Sequence, residues 1–221
     1  MRTLTHRSPG RCRARAAAAL AAALAFSACT GALFKSHEPP RTVYLLTVTP
    51  SAAAAGAPIP ADLTILRARV RPGLDTTLIA VLYPDRRLDR FAAARWSAPL
   101  DEVMQDLAVQ AFRVDAQAPN VHADISAFGT GYWLEIDVAD FQAEYAAPRS
   151  AGDSGAPTVH VHLVARLGAA GDRRVLGQFD ADIHEPSADN RLTAIVEAYN
   201  RAASAALGKI VAETGQTLSR Q

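Results

Sequence analysis

The segment TVHVHLVARLGAAGDRRVLGQFDADIHEP, residues 158–186, decides the fold class. Val159, Val161, Leu163 and Ala165 take alternate positions, with His160 and His162 between them. A period of two belongs to a strand that is buried on one side and wet on the other. Residues 168–172 interrupt the pattern with glycine and other turn formers. Val175, Phe179, Ala181 and Ile183 then mark one face of a second strand. The segment reads as a hairpin whose apolar side must be covered by another element.

The cover lies downstream. Leu192, Ile195, Val196, Tyr199, Ala203, Ala206, Leu207, Ile210 and Val211 form one apolar stripe at helical spacing, and Arg191, Glu197, Asn200, Arg201 and Glu213 lie off it. Ser187, after Pro186, is expected to cap this helix, and Gly215 to end or fray it. Upstream of the hairpin, residues 132–145 form a long strand. Leu134, Ile136 and Val138 share one face, and Phe141, Ala143 and Tyr145 continue it one residue out of phase. Such a flip near Ala139 and Asp140 is the signature of a β-bulge.

Further upstream, Pro99 opens a helix, because its fixed φ suits the first turn and its missing N–H leaves no orphan donor. Leu100, Val103, Met104, Leu107, Ala111 and Phe112 are its buried face. Strands are expected at residues 42–48, 63–66 and 77–83, the last nearly all apolar and so central. The order β-β-β-α-β-β-β-α places the chain in the α/β class, with a mixed β-sheet packed by two main helices in two or three layers.

The N-terminus carries an address. Residues 1–15 hold Arg2, Arg7, Arg11, Arg13 and Arg15 and no acid, and residues 16–26 are an apolar run too short to span a bilayer. Ser27 and Ala28 then precede Cys29. This is an export signal over residues 1–28 that ends at a cysteine poised for lipid attachment, although Phe26 stands where Leu is usual. Residues 29–41, closing with Glu38, Pro39 and Pro40, read as a flexible tether, and residues 42–221 as a single domain.

The full chain has 23 Lys and Arg against 22 Asp and Glu, formally +1. Losing the five signal arginines leaves 18 basic residues against the same 22 acids, formally −4. Nothing in such a domain asks for nucleic acid, which is met by a basic patch. Cys12 leaves with the signal and Cys29 takes the lipid, so the mature domain has no cysteine for a disulfide.

Candidate chemistry is sparse. Gly152-Asp153-Ser154-Gly155 resembles the loop around a serine-protease nucleophile, but no upstream His stands in the matching context. It reads better as a turn. His160 and His162 share a strand face, and with His184 on the next strand they could form a metal site. The other reading puts all three on the solvated side of the strands. The same choice applies to the pairs Glu135 with Asp137 and Asp180 with Asp182, which could serve acid/base chemistry. No cofactor motif is present.

Several of these features occur together in one family. Cys29, the Tyr44-Leu45-Leu46 strand, the strand ending at Tyr83, Arg95-Trp96 followed by Pro99-Leu100, the strand from Leu134 to Phe141, and the Ala-rich closing helix with Leu207 and Ile210 stand in matching order. On these the chain resembles the ABC-type transport auxiliary lipoproteins, the PqiC-like family. The resemblance implies a three-layer α/β/α arrangement and no enzymatic activity. It implies an accessory role in an Mla- or Pqi-type ABC lipid-transport system, with an MCE-domain protein as partner. The protein would be anchored in the outer membrane through the lipid on Cys29, facing the periplasm. Arg95 and Trp96 are candidate partner contacts, Trp96 being more readily a core residue, and a second copy of the chain is a further candidate partner. The alternative is a lipoprotein chaperone or assembly factor of another outer-membrane machine.

Overall fold

A nine-stranded mixed sheet is built around one long central strand. The computed structural model describes residues 41–50, 59, 62–116, 118, 120–123, 131–147, 155–171 and 174–221, and Arg41–Gln221 form one compact unit. The strands are β1 (Thr42–Tyr44), β2 (Leu63–Ile65), β3 (Arg69–Val70), β4 (Leu78–Leu82), β5 (Leu88–Trp96), β6 (Val121–Ala123), β7 (Tyr132–Glu144), β8 (Thr158–Ala169) and β9 (Val175–Pro186). The helices are α1 (Leu100–Asp115) and α2 (Leu192–Leu218).

Strand β7 pairs antiparallel with β8 along its length, and β8 pairs antiparallel with β9. This is the expected hairpin, joined to the expected long strand. Parallel to β7 run β2, β3 and β4, in succession along its length. Strand β5 pairs antiparallel with β4 and carries β1 in parallel, while β6 pairs with β2. The register of β7 against β8 shifts between Val138 and Asp140, where the phase of the sequence flips.

That bulge keeps the apolar residues on one side. Leu134, Ile136, Val138, Phe141 and Ala143 of β7 are buried, as are Val159, Val161, Leu163, Ala165 and Leu167 of β8. Helix α2 covers β8 and β9, α1 lies against β2, β3 and β6, and the helices touch each other. Their buried faces follow the sequence pattern, with Met104, Leu107, Ala111 and Phe112 on α1 and Ile195, Tyr199, Ala203, Leu207 and Ile210 on α2. Trp96, Phe141 and Tyr199 meet where sheet and helix join, at ring-centre separations of 5.0–6.0 Å. Among the described residues no helix is long and apolar enough to cross a membrane.

The α/β class, the mixed sheet and the two packing helices are as expected, and both helices lie against the apolar side of the sheet and touch each other. The differences are in detail. Strands β3, β5 and β6 extend the expected order. Two are only two or three residues long, and β5 (LDRFAAARW) has no apolar alternation to reveal it. The first strand ends at Tyr44 because the chain turns to α2, where Thr47 N–H donates to Asn200 Oδ1 and Thr49 N–H to Ser204 Oγ, both at 3.0 Å. Ser187 is not a cap: its hydroxyl donates to the Asp189 carbonyl at 2.7 Å, and α2 starts five residues later. Nor does Gly215 end that helix, which continues to Leu218 because Thr214 and Leu218 still pack against the core.

Candidate functional site

On β7, β8 and β9 every side chain that does not enter the core points to the opposite face. Before the bulge that face receives Glu135 and Asp137, and after it Asp140, Gln142 and Glu144. Strand β8 supplies His160, His162 and Arg166, and β9 supplies Asp180, Asp182 and His184. His160 lies directly opposite His184 and opposite Gln142, so Glu144 and Asp182 are its diagonal neighbours on the two sides.

This register assembles a tight cluster. His160 Nδ1 is 3.0 Å from Glu144 Oε1, and His160 Nε2 is 2.9 Å from Asp182 Oδ1. The His184 ring stacks on that of His160 with centroids 4.1 Å apart, and its Nδ1 is 3.5 Å from Asp182 Oδ1. Gln142 is almost wholly buried and uses its whole amide. Its Oε1 accepts the Phe141 N–H at 2.9 Å, and its Nε2 donates to Asp140 at 3.0 Å and to Glu144 at 2.9 Å. The carboxylate of Glu144 is therefore aimed by a neighbour that has no other orientation available.

Glu144, His160 and His184 each offer a ligand atom, all within 4.8 Å of one another. They border a cleft of about 500 Å³ that is also lined by Pro72, Leu74, Leu82 and Leu88. His162, on the same face, has other partners: its Nε2 is 3.0 Å from Asp180 and its Nδ1 3.8 Å from Asp140. Of the three histidines weighed as a possible metal site, His160 and His184 come together with Glu144, and His162 does not join them. The sequence signal that could have found Glu144 is the phase flip, since the even positions after it change sides.

The paired acids are held in ion pairs. Arg166 Nη2 reaches Glu135 and Asp137 at 2.9 Å each, Arg69 reaches Glu135 at 2.6 Å, and Arg71 reaches Asp140 at 2.7 Å. Asp180 and Asp182 face the histidines. Trp96 is 1% exposed, wedged between Phe141 and Tyr199, so it presents no surface to a partner; its neighbour Arg95 is exposed. Tyr199 is fully buried, and burial pushes its phenol well above the ordinary range, while its hydroxyl donates to the Ala80 carbonyl at 2.8 Å. Cys29 and Ser154 lie outside the described residues.

Residues 44–211 match the family model of the ABC-type transport auxiliary lipoprotein component. Among solved structures, the chain is similar to a protein from Xanthomonas campestris, with 23% identity and a TM-score of 0.67 over 81% of this chain and 98% of that one. It is also similar to an uncharacterized protein, with 14% identity and a TM-score of 0.60 over 80% of this chain and 99% of that one. At these identities the likeness is one of fold. A search of curated proteins finds no match to the sequence.

Proposed function

This chain belongs to the ABC-type transport auxiliary lipoprotein components, and from that premise we propose that it is a non-enzymatic, lipid-anchored periplasmic subunit linking an Mla- or Pqi-type ABC lipid transporter to the outer membrane. The observation that carries this reading is the extent of the family match. It runs from the last residue of β1 into the last third of α2, so it takes in the sheet and both helices.

The N-terminal sequence supports the anchor. Cys29 follows a short apolar run and two small residues, and Thr30 rather than Asp follows it, Asp being the inner-membrane retention signal of enteric bacteria. A tether over residues 29–41 would reach at most some tens of Å, at about 3.3 Å per extended residue. Confining the domain to a thin layer raises its effective concentration for a membrane-bound partner, so the contacts themselves can be weak. An MCE-domain protein is the partner this reading names. Arg95 is the exposed member of the candidate contact pair.

The test is co-purification with cross-linking from the protein's own membranes. Wild type should recover an MCE-domain protein, and Arg95→Glu should recover at least threefold less without change in thermal stability. Failure of cross-linked wild type to recover such a partner would overturn the transport reading.

A further inference from the structure

We propose that Glu144, His160 and His184 form a binding site for one divalent cation of the zinc class, at the wall of the cleft on the polar face of the sheet. The donor set is two imidazoles and one carboxylate, which suits zinc better than magnesium or calcium, whose sites are built from oxygen alone. The ligand atoms already lie within 4.8 Å of one another. Tetrahedral zinc, with bonds of about 2.0–2.1 Å, needs them about 3.4 Å apart. His160 and Glu144 are already in contact, so the adjustment falls to His184, whose side chain is 55% exposed.

The surroundings of His160 are those of a metal ligand. Metal-bound histidines commonly donate their second ring N–H to a carboxylate, which fixes the tautomer and turns the other nitrogen's lone pair toward the ion. Asp182 stands in that place, 2.9 Å from His160 Nε2. The opposite nitrogen, Nδ1, then faces Glu144 Oε1 at 3.0 Å. An ionised carboxylate only accepts, and a neutral imidazole has one N–H. A divalent ion lying between Nδ1 and Glu144 Oε1 would be met by a lone pair from each.

Charge and rigidity point the same way. Among the described ion pairs, Glu144 and Asp182 have histidines as their only partners, whereas Glu135, Asp137 and Asp140 are each met by an arginine. A dication would balance these two carboxylates. The ligands stand on three adjacent strands in a fixed register, and the buried Gln142 amide holds Glu144 in its pose. All three ligands line the cleft, from which a fourth, water ligand could be drawn.

The experiment is zinc titration of the full chain, purified in detergent and stripped with chelator, followed by calorimetry. One zinc ion per chain is expected to bind, unaffected by a tenfold excess of magnesium. His184→Asn, His160→Asn and Glu144→Gln should each weaken binding at least tenfold. Asp182→Asn, which acts through His160, should weaken it about 10–100-fold. His162→Asn should leave it within twofold. Melting curves of the metal-free variants establish that each is folded; if His160→Asn is not, the exposed His184→Asn decides. The proposal is overturned if zinc binding is not saturable, if His184→Asn leaves it unchanged, or if His162→Asn weakens it as much as the ligand variants do.

Discussion

At the scale of single residues, burial decides what a side chain can do. Trp96 sits three residues before Pro99, at the junction of β5 and α1, where a tryptophan could serve a partner or the core. Its edge-on contacts with Phe141 and Tyr199 assign it to the core, leaving Arg95 as the surface residue. Tyr199 shows what such burial does to a titratable group. The phenol is surrounded by apolar side chains, so the anion is disfavoured and its folded pKa lies above the unfolded value of about 10. The neutral phenol's contribution is therefore complete below about pH 10 and is lost as pH rises beyond it, since the unfolded chain then releases a proton that the folded one keeps. Wild-type stability should fall above pH 10 with a contribution from this group of up to about 1.4 kcal/mol per pH unit. Tyr199→Phe should cost about 1–2 kcal/mol at neutral pH through loss of the bond to Ala80. It should also show a shallower alkaline slope. Urea unfolding at pH 9 and pH 11 measures both, and parallel slopes for the two proteins would refute the assignment.

At the scale of elements, strand pairing sets constraints that composition conceals. Gly168 lies directly opposite Trp133 in the β7–β8 ladder, and a Cβ at Gly168 would overlap the Trp133 indole. The indole N–H donates to the Ala169 carbonyl at 3.3 Å, which holds the ring over the glycine. From sequence alone Gly168 reads as the start of a turn, yet it belongs to the strand because the ring needs its bare backbone. Gly168→Ala should destabilise the protein by about 1–3 kcal/mol through overpacking. Removing the ring in the same chain, as Trp133→Ala, should recover part of that cost, with a coupling of at least about 0.5 kcal/mol in a double-mutant cycle. Strict additivity of the two changes would show that the ring is not the obstacle. The bulge in β7 is the opposite case, legible because its flanks alternate strongly on both sides of Val138 and Asp140. Strand β5 was not legible, because its Asp89, Arg90, Arg95 and alanines carry no period and it is held by its neighbours β1 and β4.

At the scale of the whole molecule, the lipid anchor proposed at Cys29 would act together with the domain. Several acyl chains on Cys29 would hold the protein firmly, since each buried methylene contributes about 0.8 kcal/mol and one chain alone is marginal. Cys29→Ser should leave the outer-membrane fraction, as an uncleaved or released chain. It should also reduce recovery of the transporter partner more than Arg95→Glu does, because losing confinement removes the effective-concentration gain for every contact at once. Density-gradient fractionation measures the first effect and cross-linked recovery the second. An unchanged distribution of Cys29→Ser would rule out this anchor.

The sequence by itself determined the α/β class, both helices, the hairpin of β8 and β9, the bulge and the face shared by His160 and His162. All of these depend on periodicity within one segment, which the chain carries locally. The tertiary structure decided that both helices lie on one face of the sheet, that Trp96 is core, and that His160 meets Glu144, Asp182 and His184 while His162 turns to Asp180. These outcomes depend on register between strands that are distant in sequence. A slip of one residue would exchange the two faces, so only the packed sheet fixes which carboxylate stands beside which imidazole.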